Sequence, residues 1–199
     1  MKKVIVIGGG ETFKDYPGYI EFLTNLKLDL DKPDFKDWKA NLQEDLGDEY
    51  KVIRINMPNK FNSKYKEWKI WFDKYRPLID NETIFIGHSL GALFLHLYVR
   101  ENPFPFKKIF FVAAPYGECD DFHLPTMAPQ EMYTALNDKQ EYLYFYHSKD
   151  DKIVPLSNFN YYTVNYGNLK SPNTRVFEDR GHFFSQEHLP EIVEDIKTR

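Results

Sequence analysis

Three short runs of uninterrupted apolar residues, Val4–Ile7, Ile84–Ile86 and Ile109–Val112, constrain this chain more than any other feature. A strand with no polar position has no face to give to water, so it belongs inside a sheet covered on both sides. With their flanks, these runs predict strands at Lys3–Ile7, Thr83–Gly87 and Lys108–Ala113. Further strand patterns lie at Tyr50–Ile55, Tyr142–His147 and Thr174–Glu178. Tyr50–Ile55 mixes Lys51 and Arg54 with apolar residues, as suits a strand nearer an edge. Helical patterns separate the strands at Gly18–Leu26, Asp34–Leu46, Lys64–Lys74, Leu90–Glu101 and Leu189–Lys197. Strands alternating with helices imply βαβ units, right-handed crossovers and a parallel sheet. The expected architecture is a three-layer α/β/α sandwich with about six mostly parallel strands. At 199 residues the chain fits one domain.

One stretch breaks the alternation. Pro115–Lys139 holds three prolines, the acidic pair Asp120 and Asp121, and one short helical pattern near Gln130–Leu136. It reads as a long crossover or a lid, since long connections in small domains often carry function.

Composition narrows the function classes. Lys and Arg total 26 against 30 Asp and Glu, a net charge of −4, which does not attract a polyanion and argues against nucleic acid as a partner. The single Cys119 excludes an intramolecular disulfide framework and any multi-cysteine metal site. His88, His96, His123 and His147 lack ligand spacing, so no metal or other cofactor is expected. No apolar run is long enough to span a bilayer, and the apolar start, Val4–Ile7, is shorter than a signal-peptide core. A cytoplasmic protein without a membrane role is the expectation. The 17 Phe, 14 Tyr and 3 Trp are read mainly as core filling.

The chemistry-bearing signal is Gly87-His88-Ser89-Leu90-Gly91, a G-x-S-x-G between a predicted strand and a predicted helix. This is the setting of a nucleophile elbow, a sharp turn that exposes the serine hydroxyl at a helix N-terminus. Serine needs a base, and the base needs an orienting acid. In this arrangement the acid and then the histidine follow the serine along the chain. His182, in Asp179-Arg180-Gly181-His182-Phe183, follows the last predicted strand, whereas His188 sits at the start of the last helix. For the acid, Asp151 is preferred over Asp150, because Ile153-Val154-Pro155 can anchor the loop that holds it. The turn Gly8-Gly9-Gly10 after the first strand offers backbone N–H groups near the nucleophile. Gly9 and Leu90 are therefore the candidate oxyanion donors. A dinucleotide-binding fingerprint fails at this turn, because Phe13 stands where the third glycine belongs.

With these residues in place, the chain resembles the small α/β-hydrolases of the retinoblastoma-binding protein 9 family. The likeness rests on the glycine turn after Val4–Ile7, on Met57-Pro58, on Thr83–Ser89, on Ser148–Asp151 with Pro155, and on Asp179–Phe183. It implies a serine hydrolase with Ser89, Asp151 and His182 as triad, on a fold lacking the first two strands of larger relatives. The expected reaction is hydrolysis of a small-molecule carboxylic ester through an acyl-enzyme, with no protein partner identified. The same side chains would also serve a peptidase or a thioesterase, and the scaffold would suit a non-catalytic protein-binding module.

Overall fold

The computed structural model describes residues 1–28, 36–116, 118, 119, 122, 123, 136, 140–165 and 173–198. Its strands are β1 (Lys2–Ile7), β2 (Tyr50–Ile55), β3 (Ile84–His88), β4 (Lys108–Val112), the two-residue β5 (Glu118–Cys119) and β6 (Phe122–His123), β7 (Leu143–Ser148) and β8 (Thr174–Phe177). Its helices are α1 (Tyr16–Asn25), α2 (Trp38–Leu46), α3 (Tyr65–Asp73), α4 (Leu90–Glu101), α5 (Leu156–Asn165) and α6 (Pro190–Lys197). Six of these strands form one sheet in the order β2-β1-β3-β4-β7-β8, every neighbouring pair parallel. The sequence expectation of a three-layer α/β fold holds.

The apolar runs explain the layering. Along a strand alternate side chains point to opposite faces. Ile5, Ile7, Phe85, Ile109 and Phe111 bury against α4, whose Leu93, Phe94, Leu97 and Tyr98 are themselves buried. Val4, Val6, Ile84, Ile86, Phe110 and Val112 bury on the other face with Trp38 and Leu42 of α2 and Ile192 and Ile196 of α6. The aromatic surplus fills the first of these layers: Phe72, Phe85, Phe94, Tyr98 and Phe104 meet edge-on or tilted, with Phe72 and Tyr98 centroids 4.7 Å apart.

Two sequence expectations need correction. The second helix starts at Trp38 rather than Asp34. Asp37 is its cap, accepting a 3.1 Å bond from the Ala40 N–H, and residues 34 and 35 lie outside the described residues. Helix α5 was not expected, because Asn158, Asn160, Thr163 and Val164 are poor helix formers. Burial of Phe159 and Tyr162 against the sheet outweighs that deficit. Of the stretch Pro115–Lys139, the structure describes little beyond the antiparallel pairing of β5 with β6. The helical pattern near Gln130–Leu136, apart from Leu136, lies outside the described residues.

Candidate active site

The strand order reverses between β1 and β3: one half of the sheet is laid down outward from β1, the other outward from β3. In open parallel sheets the crevice beyond the carboxyl ends at such a reversal is where ligands bind. Gly8–Gly10 follow β1, and Ser89 follows β3, at that same end of the sheet.

Ser89 stands at φ 55°, ψ −128°, a backbone conformation that side-chain-bearing residues rarely adopt. The surroundings enforce it. A Cβ on Gly87 would lie 2.5 Å from Ala92 Cα, and one on Gly91 would lie 2.4 Å from the Ile7 carbonyl oxygen. The turn is that tight because α4 starts directly beneath β1 and β3. The Ser89 N–H donates to Val112 O at 2.9 Å, and Ser89 O accepts the Ala92 N–H at 2.9 Å. Serine commonly caps the helix it precedes, but the Ser89 hydroxyl makes no such bond. The Leu90 N–H belongs to the first turn of α4, whose donors the helix cannot satisfy. The Gly9 backbone approaches so closely that a Cβ there would be 3.0 Å from Ser89 Cβ and 3.4 Å from Oγ.

His182 sits in a turn tied down on every side. Gly181 (φ 53°) and Phe183 (φ 57°) flank it in left-handed conformations, and the Phe183 ring is fully buried. The Gly181 N–H donates to Asp150 Oδ1 (2.8 Å) and the Arg180 N–H to Ser148 Oγ (2.9 Å). From α2, the Trp38 indole N–H reaches Phe183 O at 3.1 Å. The His88 Nε2–H donates to the His182 carbonyl at 2.8 Å. A carbonyl only accepts, so the His88 proton is on Nε2. Complete burial first, then the neighbouring Lys39 cation, push the His88 pKa well below its ordinary value, and the ring stays neutral.

The His182 Nδ1–H donates to Asp151 Oδ2 at 2.7 Å. The two side chains are 2% and 0% exposed, so the bond is shielded from water. The other Asp151 oxygen accepts the N–H groups of Ile153 and Val154, each at 2.9 Å. His147 supports the same loop: its Nε2–H donates to Val154 O at 2.8 Å, and burial lowers its pKa. With Nδ1 committed to Asp151, His182 Nε2 carries the lone pair. That nitrogen is buried and has no hydrogen-bond partner among the described residues, Ser89 included. Nucleophile–base bonds are often long before substrate binds and tighten only in the complex.

Ser89 and His182 line one crevice of about 490 Å³, together with Gly8–Gly10. Of the rival residues, Asp150 is exposed and bonds to the Gly181 N–H and the Ser148 hydroxyl rather than to an imidazole. Those bonds hold its pKa below the usual carboxylate range. His188 is half exposed and pairs with Asp45 at 2.8 Å, away from the crevice. Among the described residues no cluster of three His, Cys, Asp or Glu side chains suits a metal ion. Sequence reasoning passed over three further crevice residues, Lys39, Arg54 and Lys60. They come from α2, the end of β2 and the loop after it, and no local motif links them.

Fold and crevice together define the α/β-hydrolase class of architecture. No family model and no curated protein matches the chain at the sequence level. Solved structures do match it. The ydeN gene product of B. subtilis superposes with a TM-score of 0.66 at 17% identity, covering 98% of this chain and 97% of that one. The esterase domain of a Rhodothermus marinus protein gives 0.58 at 14% identity, with 98% and 83% covered. Est1E from Butyrivibrio proteoclasticus gives 0.56 at 16% identity, with 98% and 85% covered. At such identities the likeness establishes the fold.

Proposed function

We propose that this protein is a serine hydrolase that cleaves carboxylic esters through an acyl-enzyme, with Ser89 as nucleophile, His182 as base and Asp151 as its orienting acid. The observation that carries the reading is the water-shielded 2.7 Å bond from His182 Nδ1 to Asp151, in the crevice that Ser89 also lines. That bond selects the tautomer whose free nitrogen, Nε2, can take a proton. The fold shared with structures described as esterases is consistent with it. So is the resemblance to the retinoblastoma-binding protein 9 family.

In the first half-reaction Ser89 Oγ bonds to the ester carbonyl carbon, and its proton passes to His182 Nε2. Collapse of the tetrahedral intermediate breaks the bond to the alcohol, which leaves with that proton. Water then attacks the acyl-enzyme, its proton passing to Nε2 and on to Ser89 as the acid departs. The developing oxyanion is assigned to the Gly9 and Leu90 N–H groups. Exposed Phe61, Ile153 and Phe184 give the crevice an apolar rim for the uncharged part of the substrate. Asp151 stabilises the imidazolium formed in each half.

A fluorophosphonate probe tests the reading, with peptide mapping to locate the adduct. It is expected to label Ser89 in the wild type and to leave S89A unmodified. Folded wild type that resists the probe would overturn the assignment. Graded p-nitrophenyl esters, a thioester and a peptide amide then rank the acyl substrates.

A further inference from the structure

The crevice beside Ser89 is not electrically neutral. Lys39, Arg54 and Lys60 all line it, and the same three also line an adjoining cavity of about 180 Å³. They stand where the two spaces meet. The protein as a whole carries a net charge of −4, whereas at this mouth the cations outnumber the carboxylates. Two carboxylates share the crevice, Asp37 and Glu11. Asp37 is already engaged, 2.5 Å from Lys39 and capping α2 through the Ala40 N–H. Glu11 and Arg54 are both exposed, so solvent screens the two charges alike, while Lys60 is partly buried. Arg54 and Lys60 have no ion-pair partner among the described residues.

The backbone that carries Arg54 and Lys60 is fixed before any ligand arrives. The Lys60 carbonyl accepts the Glu11 N–H at 2.7 Å, which fixes that loop to the glycine turn beside Ser89. Arg54 is held in the sheet opposite Val6, in register with β1. Burial lowers the pKa values of Lys39 and Lys60; at Lys39 the Asp37 carboxylate pulls the other way, and the neighbouring Arg54 lowers both further. Cations crowded in this way repel one another, and a bound anion relieves that repulsion.

Resting on the hydrolase reading above, we infer that the preferred substrate is an ester that also carries an anionic group, a carboxylate or a phosphate, seated by Arg54 and Lys60 beside the Lys39–Asp37 pair while the ester carbonyl meets Ser89. Guanidinium and ammonium donors bind such oxyanions through charge-assisted hydrogen bonds.

The test compares kcat/KM for matched esters at low ionic strength. One pair, 4-acetoxybenzoate against 4-acetoxybenzamide, places the charge on the alcohol side. A second, monoethyl glutarate against ethyl pentanoate, places it on the acyl side. A further ester, 4-acetoxyphenyl phosphate, separates phosphate from carboxylate. In at least one comparison the anionic ester is expected to be favoured about tenfold or more, the order of one charge-assisted contact. R54M and K60M should each lower that anionic-to-neutral ratio, and R54K should retain more of it than R54M. The ratio cancels losses common to both substrates. A ratio near or below one in every comparison, or one that R54M and K60M leave unchanged, overturns the inference.

Titration with glutarate and with inorganic phosphate reads the site without turnover. Binding that weakens in R54M and K60M supports the anion site even if the probe fails to label Ser89, which would sink only the hydrolase reading. Absence of binding by both anions in wild type overturns the site itself.

Discussion

Replacing Asp151 by asparagine isolates one bond. The asparagine oxygen can still accept the Ile153 and Val154 N–H groups at 2.9 Å, so the loop keeps its anchors. What changes is the group facing His182 Nδ1, now an amide NH₂ where a carboxylate oxygen accepted at 2.7 Å. A donor there requires the Nδ1 lone pair, so the ring proton moves to Nε2. That is the nitrogen that must be empty to accept the serine proton. The stabilising charge beside the imidazolium is lost as well. A base fixed in the wrong tautomer costs about 10⁴ in kcat, or about 5 kcal/mol of transition-state stabilisation. Stability should change by only about 1 kcal/mol, because the hydrogen-bond count is nearly preserved. The assay is steady-state hydrolysis of p-nitrophenyl acetate together with the rate of fluorophosphonate labelling, with thermal melts confirming the fold. D150N is the control, since Asp150 bonds to Gly181 and Ser148 rather than to an imidazole. A D151N enzyme within tenfold of wild type, or a larger loss in D150N, would refute the reasoning.

G91A should be destabilised by about 3 kcal/mol or more in urea unfolding, because its Cβ would lie 2.4 Å from the Ile7 carbonyl oxygen and backbone must move. G9A meets Ser89 less severely, at 3.0 Å, so it is expected to lose about a hundredfold in kcat with little change in melting temperature, the signature of a displaced oxyanion donor. Acid sensitivity follows from the buried histidines. Burial, and then Arg100, lower the His96 pKa to about 3, whereas the unfolded chain titrates near 6.5. Between those values the unfolded state holds the extra proton, so stability is lost as pH falls through that window, by about 1.4 kcal/mol per pH unit from this residue. His88 acts in the same direction. Urea midpoints measured from pH 6.5 to pH 5 should show the slope, and H96Q should reduce it.

How far the sequence carries depends on the range of the interaction. The apolar runs Val4–Ile7, Ile84–Ile86 and Ile109–Val112 point to a sheet buried on both faces, because they are short and rich in β-branched and aromatic residues and leave no face for water. The Gly87–Gly91 turn is legible too, because the strand and helix beside it are visible in the pattern, but only Gly87 is demanded by nearby backbone, at Ala92, whereas Gly91 is demanded by the Ile7 and Gly8 carbonyls of the neighbouring strand end. Helix α5 was not legible, since its propensity is poor and only burial of Phe159 and Tyr162 on a distant sheet makes it form. Asp150 and Asp151 are chemically identical neighbours, and only the packed loop decides that Asp151 faces His182 while Asp150 faces the Gly181 N–H. Lys39, Arg54 and Lys60 are three ordinary cations along the chain. They become one electrostatic feature because the glycine turn ties Lys60 in place and the parallel register brings β2 beside β1. Local order is written in neighbouring side chains, but a site assembled from separate segments exists only once long-range burial has ordered the chain.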